Sequence, residues 1–473
     1  MTTVRSIRPT PSRLPRPRGP GRVRPIGIVL AALVVVVSSY GVMALTRPTP
    51  SGTVRPTALA DRGDRFAAEI LPGDLATDSS GDALDAIDEQ IAVWGAKAAA
   101  DARDDISAGN LAVLYLGRGR LTGDATDYEK ALTAADGAVR ANPASTGTRA
   151  LKATVLQATH DFTGALSLAE GIVAEDPRNV DALAVVGDAQ LELGRLAAAS
   201  KTYAMIGAIQ AGPALDARLA RLAWLQGDRD DALKLARRAR DAARRDGSSD
   251  PSFYEAQLGE MARLNGDPVA AGAAFDAALA IRSGNQLALL GRARLEAFAG
   301  NDAGAIETLR HAAAIAPRPE TLALLADLLG RTGDAVGAGR QADTIRLIGK
   351  LGGTSAKLFD RQILAFEIDH GGASADALAR AEAAAEIRPD AAGLDLVAWA
   401  AFRLGDLEAA GSWSARALDS GTVDARILDH AGAIAIALGD RTAGLALVNR
   451  ALELGPALDP FDRAAAEALA AGS

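Results

Sequence analysis

The sequence contains no cysteine and few aromatic residues, and each shortage excludes a class of protein. None of the 473 residues is Cys, and Phe, Trp and Tyr together make up 4%. Without thiols the chain cannot form disulfides, thiolate zinc sites, iron–sulfur clusters or a cysteine nucleophile. Because aromatic residues favour strands, whereas the abundant Ala, Leu and Arg favour helices, the composition disfavours an all-β fold.

The remaining composition indicates a large folded body. Hydrophobic residues make up 49% of the chain and charged residues 23%, which excludes a wholly disordered protein. One hydrophobic core seldom serves a chain of this length. We therefore expect either two or three domains or an array that grows by adding units.

Charge is distributed unevenly along the chain. Residues 1–25 contain seven Arg, six Pro and no acidic residue, whereas the remaining residues sum to −15. A segment so rich in Pro and in charge of one sign does not pack, so residues 1–25 are predicted to be a disordered basic arm in the cytoplasm. The acidic remainder disfavours nucleic acid as a partner because it repels phosphate groups.

Residues 26–45 form an uncharged apolar run that predicts a transmembrane signal anchor. Twenty helical residues span about 30 Å, which matches the hydrocarbon core of a bilayer. The excess of Arg before the run predicts a single-pass protein of the cell membrane, with its C-terminal domain extracytoplasmic. The alternative is cleavage after Ala44, which would give a secreted protein. Residues 46–80, rich in Pro, Gly, Thr and Ser, are predicted to be a flexible linker.

The chain beyond residue 80 repeats with a period of about 34 residues. A turn, in most cases an acidic residue, and then a small residue recur in that order, and the small residue can be aligned in ten units. The aligned small residues are Ala131, Ala165, Ala199, Ala232, Ala271, Ala305, Ala338, Ala377, Ala410 and Gly444. Their spacings are 34, 34, 33, 39, 34, 33, 39, 33 and 34, so seven of nine lie within one residue of 34. This regularity predicts a solenoid of helical hairpins, with extra residues in loops where the spacing is 39.

Each hairpin carries its own start and stop signals. The glycines expected to end the first helix in the left-handed conformation are Gly194, Gly227, Gly266, Gly300, Gly333, Gly405 and Gly439. The acidic residues expected to cap the second helix are Asp228, Asp267, Asp302, Asp334, Asp406 and Asp440. The prolines expected to end the second helix are Pro143, Pro177, Pro317, Pro389 and Pro456. The aligned small residue lies where the second helix crosses the first, so it permits close approach of the two helices.

The hairpins resemble the tetratricopeptide repeat family. The motifs that carry the resemblance are Leu258-Gly259 with Ala271-x3-Phe275, and Val186-Gly187 with Ala199-x3-Tyr203. It covers about residues 107–459 and implies an all-α, right-handed solenoid of ten units within a domain at 81–473, flanked by helices at 82–100 and 461–471. The expected units are 107–143, 146–177, 180–212, 213–248, 252–283, 286–317, 319–350, 358–389, 391–422 and 425–456.

Three units depart from the family pattern at the turn between their helices. The residues found there are Thr126, His160 and Gly371-Gly372, the last with one extra residue.

Neither a catalytic centre nor a metal site is expected. The four histidines, His160, His311, His370 and His430, lie in separate units without the spacing of paired metal ligands. The segment Gly349–Ser355 only superficially resembles a phosphate-binding loop, because Lys350 is followed by Leu. We expect no cofactor, no metal and no enzymatic activity.

Ten residues on the first helices are candidates for binding a polypeptide. They are Arg218, Arg221, Trp224, Phe253, Arg263, Arg294, Phe359, Phe366, Trp399 and Phe402. The resemblance places the first helices on a concave surface that binds peptides. There Arg offers forked donors to carboxylates, and aromatic rings offer rigid apolar area, so an acidic or C-terminal peptide is the expected ligand. Two other interpretations stay open: the Arg side chains pair with neighbouring acids, and the aromatic rings pack in the core.

These observations predict a non-catalytic protein-interaction scaffold tethered to the cytoplasmic membrane. Its expected partner is another polypeptide. A secreted form of the same fold, and a regulatory subunit or an enzyme whose site lies hidden between units, are the alternatives.

Overall fold

A computed structural model describes residues 80–246, 250–351 and 353–472. The predicted arm, the anchor and nearly all of the linker lie outside these residues. The described helices are α1 Ser80–Ala100, α2 Asp105–Thr122, α3 Ala125–Ala141, α4 Thr146–Ala158, α5 Phe162–Glu175, α6 Val180–Glu192, α7 Leu196–Ile209, α8 Pro213–Leu225, α9 Arg229–Asp246, α10 Pro251–Leu264, α11 Pro268–Ile281, α12 Gln286–Phe298, α13 Asp302–Ile315, α14 Pro319–Arg331, α15 Ala335–Lys350, α16 Gly353–Phe366, α17 Ala375–Ile387, α18 Ala391–Leu404, α19 Leu407–Leu418, α20 Ala425–Ala437, α21 Arg441–Glu453 and α22 Pro460–Ala471. In these three ranges the chain forms no β-strand, and none of the helices is long and apolar enough to cross a bilayer.

Consecutive helices pair into ten antiparallel hairpins. Helices α2 and α3 form unit 1, each following pair forms the next unit, and α20 and α21 form unit 10. Helix α1 precedes the first unit and α22 follows the last, close to the expected flanking helices. The expected all-α solenoid of ten hairpins is confirmed.

Where the sequence predicts a glycine turn followed by an acidic cap, the structure has both, with one exception among the caps. Gly227 and Gly405 have φ of 83° and 85°, a conformation that glycine adopts without strain. The side chain of Asp267 accepts a hydrogen bond from the Ala270 N–H at 2.9 Å, as a helix cap should. Asp302 does not cap α13, because the preceding Asn301 takes that role and accepts from the Gly304 N–H at 3.1 Å.

The small residues lie at the closest contacts of each hairpin. Of the ten aligned positions, nine are buried and only Ala338 is half-exposed. Close contact between the two helices also explains the glycine of the family motif, since a Cβ added to Gly259 would lie 2.6 Å from the ring of Phe275. At Gly187 the same added atom would lie 2.4 Å from the ring of Tyr203. The aromatic ring of the second helix therefore fills the space that a glycine leaves on the first helix.

The three departing units solve the turn in different ways. In unit 1 the turn residue is Gly123, with φ of 76°, so that unit has a glycine turn after all. In unit 2 His160 adopts φ of 60°, the only non-glycine residue with positive φ in the described ranges. In unit 8 the first helix begins at Gly353, earlier than expected, and ends in a π-helical turn at Glu367–Gly371. A π-helical turn accommodates one extra residue within a helix, which accounts for the extra residue at the turn of this unit.

The chain returns on itself after five units. The turn of unit 3 meets the end of unit 8, where Arg388 donates to the carboxylate of Glu192 at 2.6 Å. The turn of unit 4 meets the end of unit 9, and the turn of unit 5 meets the segment after unit 10. A Cβ added to any of the three turn glycines would lie close to a carbonyl oxygen of these later units. The distances are 3.3 Å from Gly194 to Pro389, 2.5 Å from Gly227 to Gly421 and 3.2 Å from Gly266 to Leu454. Residues roughly 195 positions apart in sequence are thus in contact.

A shared hydrophobic core joins unit 1 to units 7 and 8. Leu114 and Tyr128 of unit 1 lie in one buried cluster with Leu322, Ile348 and Phe359. Early and late units therefore share core residues as well as polar contacts.

Candidate polypeptide-binding site

The first two candidate arginines are paired within the chain. Arg218 is 7% exposed and donates from Nε and Nη2 to the carboxylate of Asp188 at 2.9 and 3.0 Å. Arg221 forms an ion pair with Glu192, which also accepts from Arg388 of unit 8. Burial alone would raise the pKa of Glu192, but Arg221 and Arg388 outweigh it and lower the pKa to about 2.

The next two arginines hold a segment of the chain itself. Arg263, 4% exposed, donates from Nη1 to the carbonyl oxygen of Pro456 at 2.7 Å. Arg294 donates from Nε and Nη2 to the carboxylate of Asp459 at 2.7 and 3.2 Å. Burial would lower the pKa of Arg294, but Asp459 and Glu260 outweigh it and raise the pKa. The first helices of units 5 and 6 thus already hold a stretch of polypeptide between unit 10 and α22.

The aromatic candidates of units 4, 5 and 8 lie mostly within cores. Trp224 is 8% exposed and belongs to a cluster that includes Val423 of the loop before α20. Phe253 is half-buried and meets Tyr254 edge-on at 5.2 Å. Phe359 and Phe366 are 0% and 4% exposed and belong to the core shared with unit 1. Here the structure favours the core interpretation of the sequence.

Trp399 and Phe402 lie in an aromatic cluster that remains partly accessible. The ring of Trp399 stacks on His430 at 3.9 Å with the planes parallel, and on Phe402 at 5.1 Å. Close by, the ring of His370 lies 5.2 Å from that of Phe461 of α22, with the planes tilted by 32°. These five residues, His370, Trp399, Phe402, His430 and Phe461, are called the aromatic cluster below. Phe461 is 45% exposed, Trp399 and Phe402 are half-buried, and His430 is buried.

Asp369 ties the aromatic cluster together. Its carboxylate accepts from Trp399 Nε1 at 2.8 Å and from Arg426 Nη2 at 2.5 Å. Arg426 also faces Asp462 of α22, with Nε 3.5 Å from Oδ2. The π-helical turn of unit 8 carries both Asp369 and His370, so the extra residue of that unit positions part of the cluster.

Burial and acidic neighbours perturb the titrating groups of the cluster. Burial opposes a charge on His370, but Asp327, whose Oδ1 lies 2.6 Å from Nε2, outweighs it and raises the pKa. His430 has its Nδ1 2.9 Å from Asp395 Oδ2, and its pKa is raised against the effect of burial. Burial raises the pKa of the adjacent Asp429 to about 6. A shifted pKa in a partly accessible cluster is typical of functional sites and of structural ion-pair networks alike.

The sequence predicted Trp399 and Phe402 as candidate binding residues but did not indicate His370, His430 and Phe461, which complete the cluster. The histidines are scattered along the sequence, yet His430 stacks on Trp399, and His370 directly follows Asp369, which accepts from Trp399 Nε1. The irregular spacing before Gly372 was the available signal. Within the described ranges no group of three or more His, Asp and Glu side chains is arranged to hold a metal ion.

Comparison with known proteins supports the fold. A family model described as tetratricopeptide repeat matches residues 156–217, from the end of α4 to the start of α8. The resemblance expected from the sequence is therefore confirmed. Proteins built from this repeat generally serve as non-catalytic scaffolds that bind other proteins. No curated protein sequence matches the chain.

The solved structures that are similar to the chain include the following two. One is PilW, a widely conserved type IV pilus biogenesis factor, with 16% identity over 45% of this chain and 98% of that chain, at a TM-score of 0.36. The other is the human IFIT1 dimer with PPP-AAAA, with 15% identity over 79% of this chain and 87% of that chain, at a TM-score of 0.43.

Proposed function

We propose that the chain is a tethered scaffold that binds segments of other polypeptides, and that the aromatic cluster is its principal contact. The observation that carries this proposal is the stack of Trp399 and Phe402, which stays partly exposed beside the exposed Arg403. Trp and Arg are enriched among residues that dominate binding energy at protein interfaces, and aromatic rings provide rigid apolar area. The exposed ring of Phe461 extends the same surface.

The way the chain holds its own segment supports polypeptide as the ligand. Arg263 and Arg294 use a main-chain carbonyl oxygen and an Asp carboxylate as acceptors, and every polypeptide offers the first of these. The other candidate arginines, Arg218 and Arg221, are paired with acids of unit 3, so their role in binding a separate peptide stays a prediction.

A site-specific crosslinking experiment tests the proposed contact. A photo-crosslinking amino acid placed at Phe402 should capture a partner that the same group at Leu347, 47% exposed on α15, does not capture. Arg403→Ala and Phe461→Ala should each lower the yield about fivefold or more, as expected for residues that dominate an interface. Ile387→Ala, at a 62% exposed position of α17, is the control that should leave the yield unchanged. Equal capture from Phe402 and Leu347 would contradict the proposal.

The proposed location is the outer side of a cytoplasmic membrane, with residues 26–45 as the anchor. The uncharged run and the seven Arg before it support this location. N-terminal sequencing of the mature chain provides the test. A mature chain that begins at Leu45 would contradict the anchor and support the secreted alternative.

A further inference from the structure

We propose that the outer face of α9 is a docking surface for an anionic lipid bilayer. Helix α9, the second helix of unit 4, carries seven basic and four acidic residues, a net charge of +3. The second helices of the other nine units have net charges between −2 and +2. A cationic helix in an otherwise acidic protein marks a surface for a negatively charged partner.

The cations of α9 form one outward stripe. Lys234, Arg237, Arg238, Arg244 and Arg245 recur at spacings of three, four, six and seven residues, which places them on one side of the helix over about 17 Å. The opposite side is buried and contains only alanine at its closest contacts: Ala232, Ala236, Ala239, Ala242 and Ala243. The helix therefore packs tightly by its small side and presents its cationic side to solvent.

Two of these arginines are braced and others have no acidic partner. Arg238 binds Asp216 and Arg244 binds Glu255, yet their side chains remain 57% and 52% exposed. The ion pairs of α9 in the described ranges involve Lys234, Arg238, Arg240 and Arg244, and none involves Arg237 or Arg245. The braced pairs fix the helix, and the unpaired cations are available to a partner.

The extra length of α9 adds to the stripe. The helix has 18 residues, whereas α7 and α11, the second helices of the two neighbouring units, have 14 each. The additional turn supplies four of the five extra residues in the first spacing of 39, which the sequence predicted to lie in a loop, and carries Arg244 and Arg245.

The surroundings favour a bilayer over a protein partner. None of the large apolar residues exposed in the described ranges lies on α9. A specific protein interface needs buried apolar or aromatic anchors at its centre, whereas an anionic bilayer binds basic residues by electrostatic attraction alone. The stripe lies on the outward face of a helix, where a flat surface can approach it.

A single fluorescent label tests the contact directly. Because the chain has no cysteine, Asp241→Cys, at a 55% exposed position in the stripe, provides one labelling site. Ser412→Cys on α19, also exposed, provides the matched control label. The full chain is mixed with vesicles of phosphatidylcholine, alone or with phosphatidylglycerol, that contain a quencher on their headgroups. Quenching of the label at 241 only with phosphatidylglycerol, and its loss at high salt, is the expected result.

Charge-reversal variants distinguish binding through the stripe from binding through the net charge of the protein. Arg237→Glu with Arg245→Glu should weaken the contact of α9 with phosphatidylglycerol vesicles about 25-fold or more, from about fivefold per cation near an anionic surface. The contact is measured by quenching at 241, because residues 1–45 of the full chain are expected to hold it on vesicles in both variants. Arg310→Glu with Arg340→Glu changes the net charge equally at exposed positions of α13 and α15 and should leave binding unchanged. Equal quenching by both vesicle types, or equal loss in both variants, would overturn the proposal. Tighter binding of a single-stranded oligonucleotide than of the vesicles would assign the stripe to nucleic acid instead.

Discussion

The turns of units 3 to 5 and those of units 7, 9 and 10 share a glycine turn but not an environment. A Cβ at Gly227 of unit 4 would lie 2.5 Å from a carbonyl oxygen of unit 9, whereas at Gly405 of unit 9 it would meet no atom within 4 Å. The residue before the turn glycine shows the same contrast. Leu193 of unit 3 is 4% exposed, and Leu438 of unit 10 is 51% exposed. One repeated sequence thus acquires two energetic roles from the return of the chain after five units.

The largest expected difference between the two regions comes from a buried charge. Glu192→Gln leaves Arg221 and Arg388 without their carboxylate, and we expect a loss of about 3–5 kcal/mol in the free energy of unfolding. Arg403→Gln, at the corresponding position of unit 9, is exposed and should cost less than about 0.5 kcal/mol. Chemical denaturation of both variants measures the difference. Similar midpoints would show that the cross-unit pair contributes nothing.

Apolar burial should give the next largest difference. Leu193→Ala removes a side chain packed against Phe162 and its neighbours and should cost about 2–5 kcal/mol. Leu438→Ala removes a half-exposed side chain and should cost under about 1 kcal/mol. Thermal unfolding, followed by loss of helical circular dichroism, compares the two. A larger loss for Leu438→Ala would reverse the comparison between the two regions.

A pH series contrasts the paired acid of unit 3 with Asp429 of unit 10. The pKa of Glu192 is lowered to about 2, so its stabilisation is present above its unfolded value near 4.5 and is lost as pH falls through 2. The pKa of Asp429 is raised to about 6, so its stabilisation is present below 3.8 and is lost as pH rises to 6. Between pH 4 and 7, Asp429→Asn should therefore gain about 3 kcal/mol of stability relative to the unsubstituted protein. Denaturant unfolding at pH 4 and pH 7 measures the free energy of unfolding of both proteins. An equal change with pH in the two proteins would contradict the prediction.

The smallest expected difference concerns the turn glycines themselves. Gly227→Ala and Gly405→Ala both place a side chain at positive φ, which costs about 1–2 kcal/mol. Gly227→Ala also forces a methyl group against Gly421, and we expect a further loss of about 1–3 kcal/mol. Equal losses in the two variants would mean that the contact between units 4 and 9 relaxes freely.

The hairpins could be predicted from sequence because their determinants are local. The turn at Gly227, the cap at Asp267 and the contact of Gly259 with Phe275 each involve residues within one unit. Even the exception at Asp302 is a shift of one residue, since Asn301 offers an equivalent acceptor. Local signals of this kind repeat in every unit, so their spacing reveals the architecture.

The contacts of the candidate site could not be predicted because they depend on how far the solenoid turns per unit. Arg263 and Pro456 are 193 residues apart in sequence, and no pattern within one hairpin specifies that they meet. No pattern within one hairpin specifies that His430 and Phe461, which lie on different helices, belong to one aromatic cluster. The residue types at Trp399 and Phe402 indicated a binding surface, and the partners of these side chains required the structure.

The return contact after five units changes how the array responds to disruption. A simple row of hairpins interacts only with its nearest neighbours, so its ends can fray while the middle persists. Here loss of unit 8 or unit 9 also removes a partner of unit 3 or unit 4, because Arg388 and Gly421 support earlier turns. Amide protons of early and late units should accordingly exchange with solvent at similar rates, as parts of one cooperative body. A substitution that destabilises one unit is thus expected to destabilise also the unit that lies five positions away in the array.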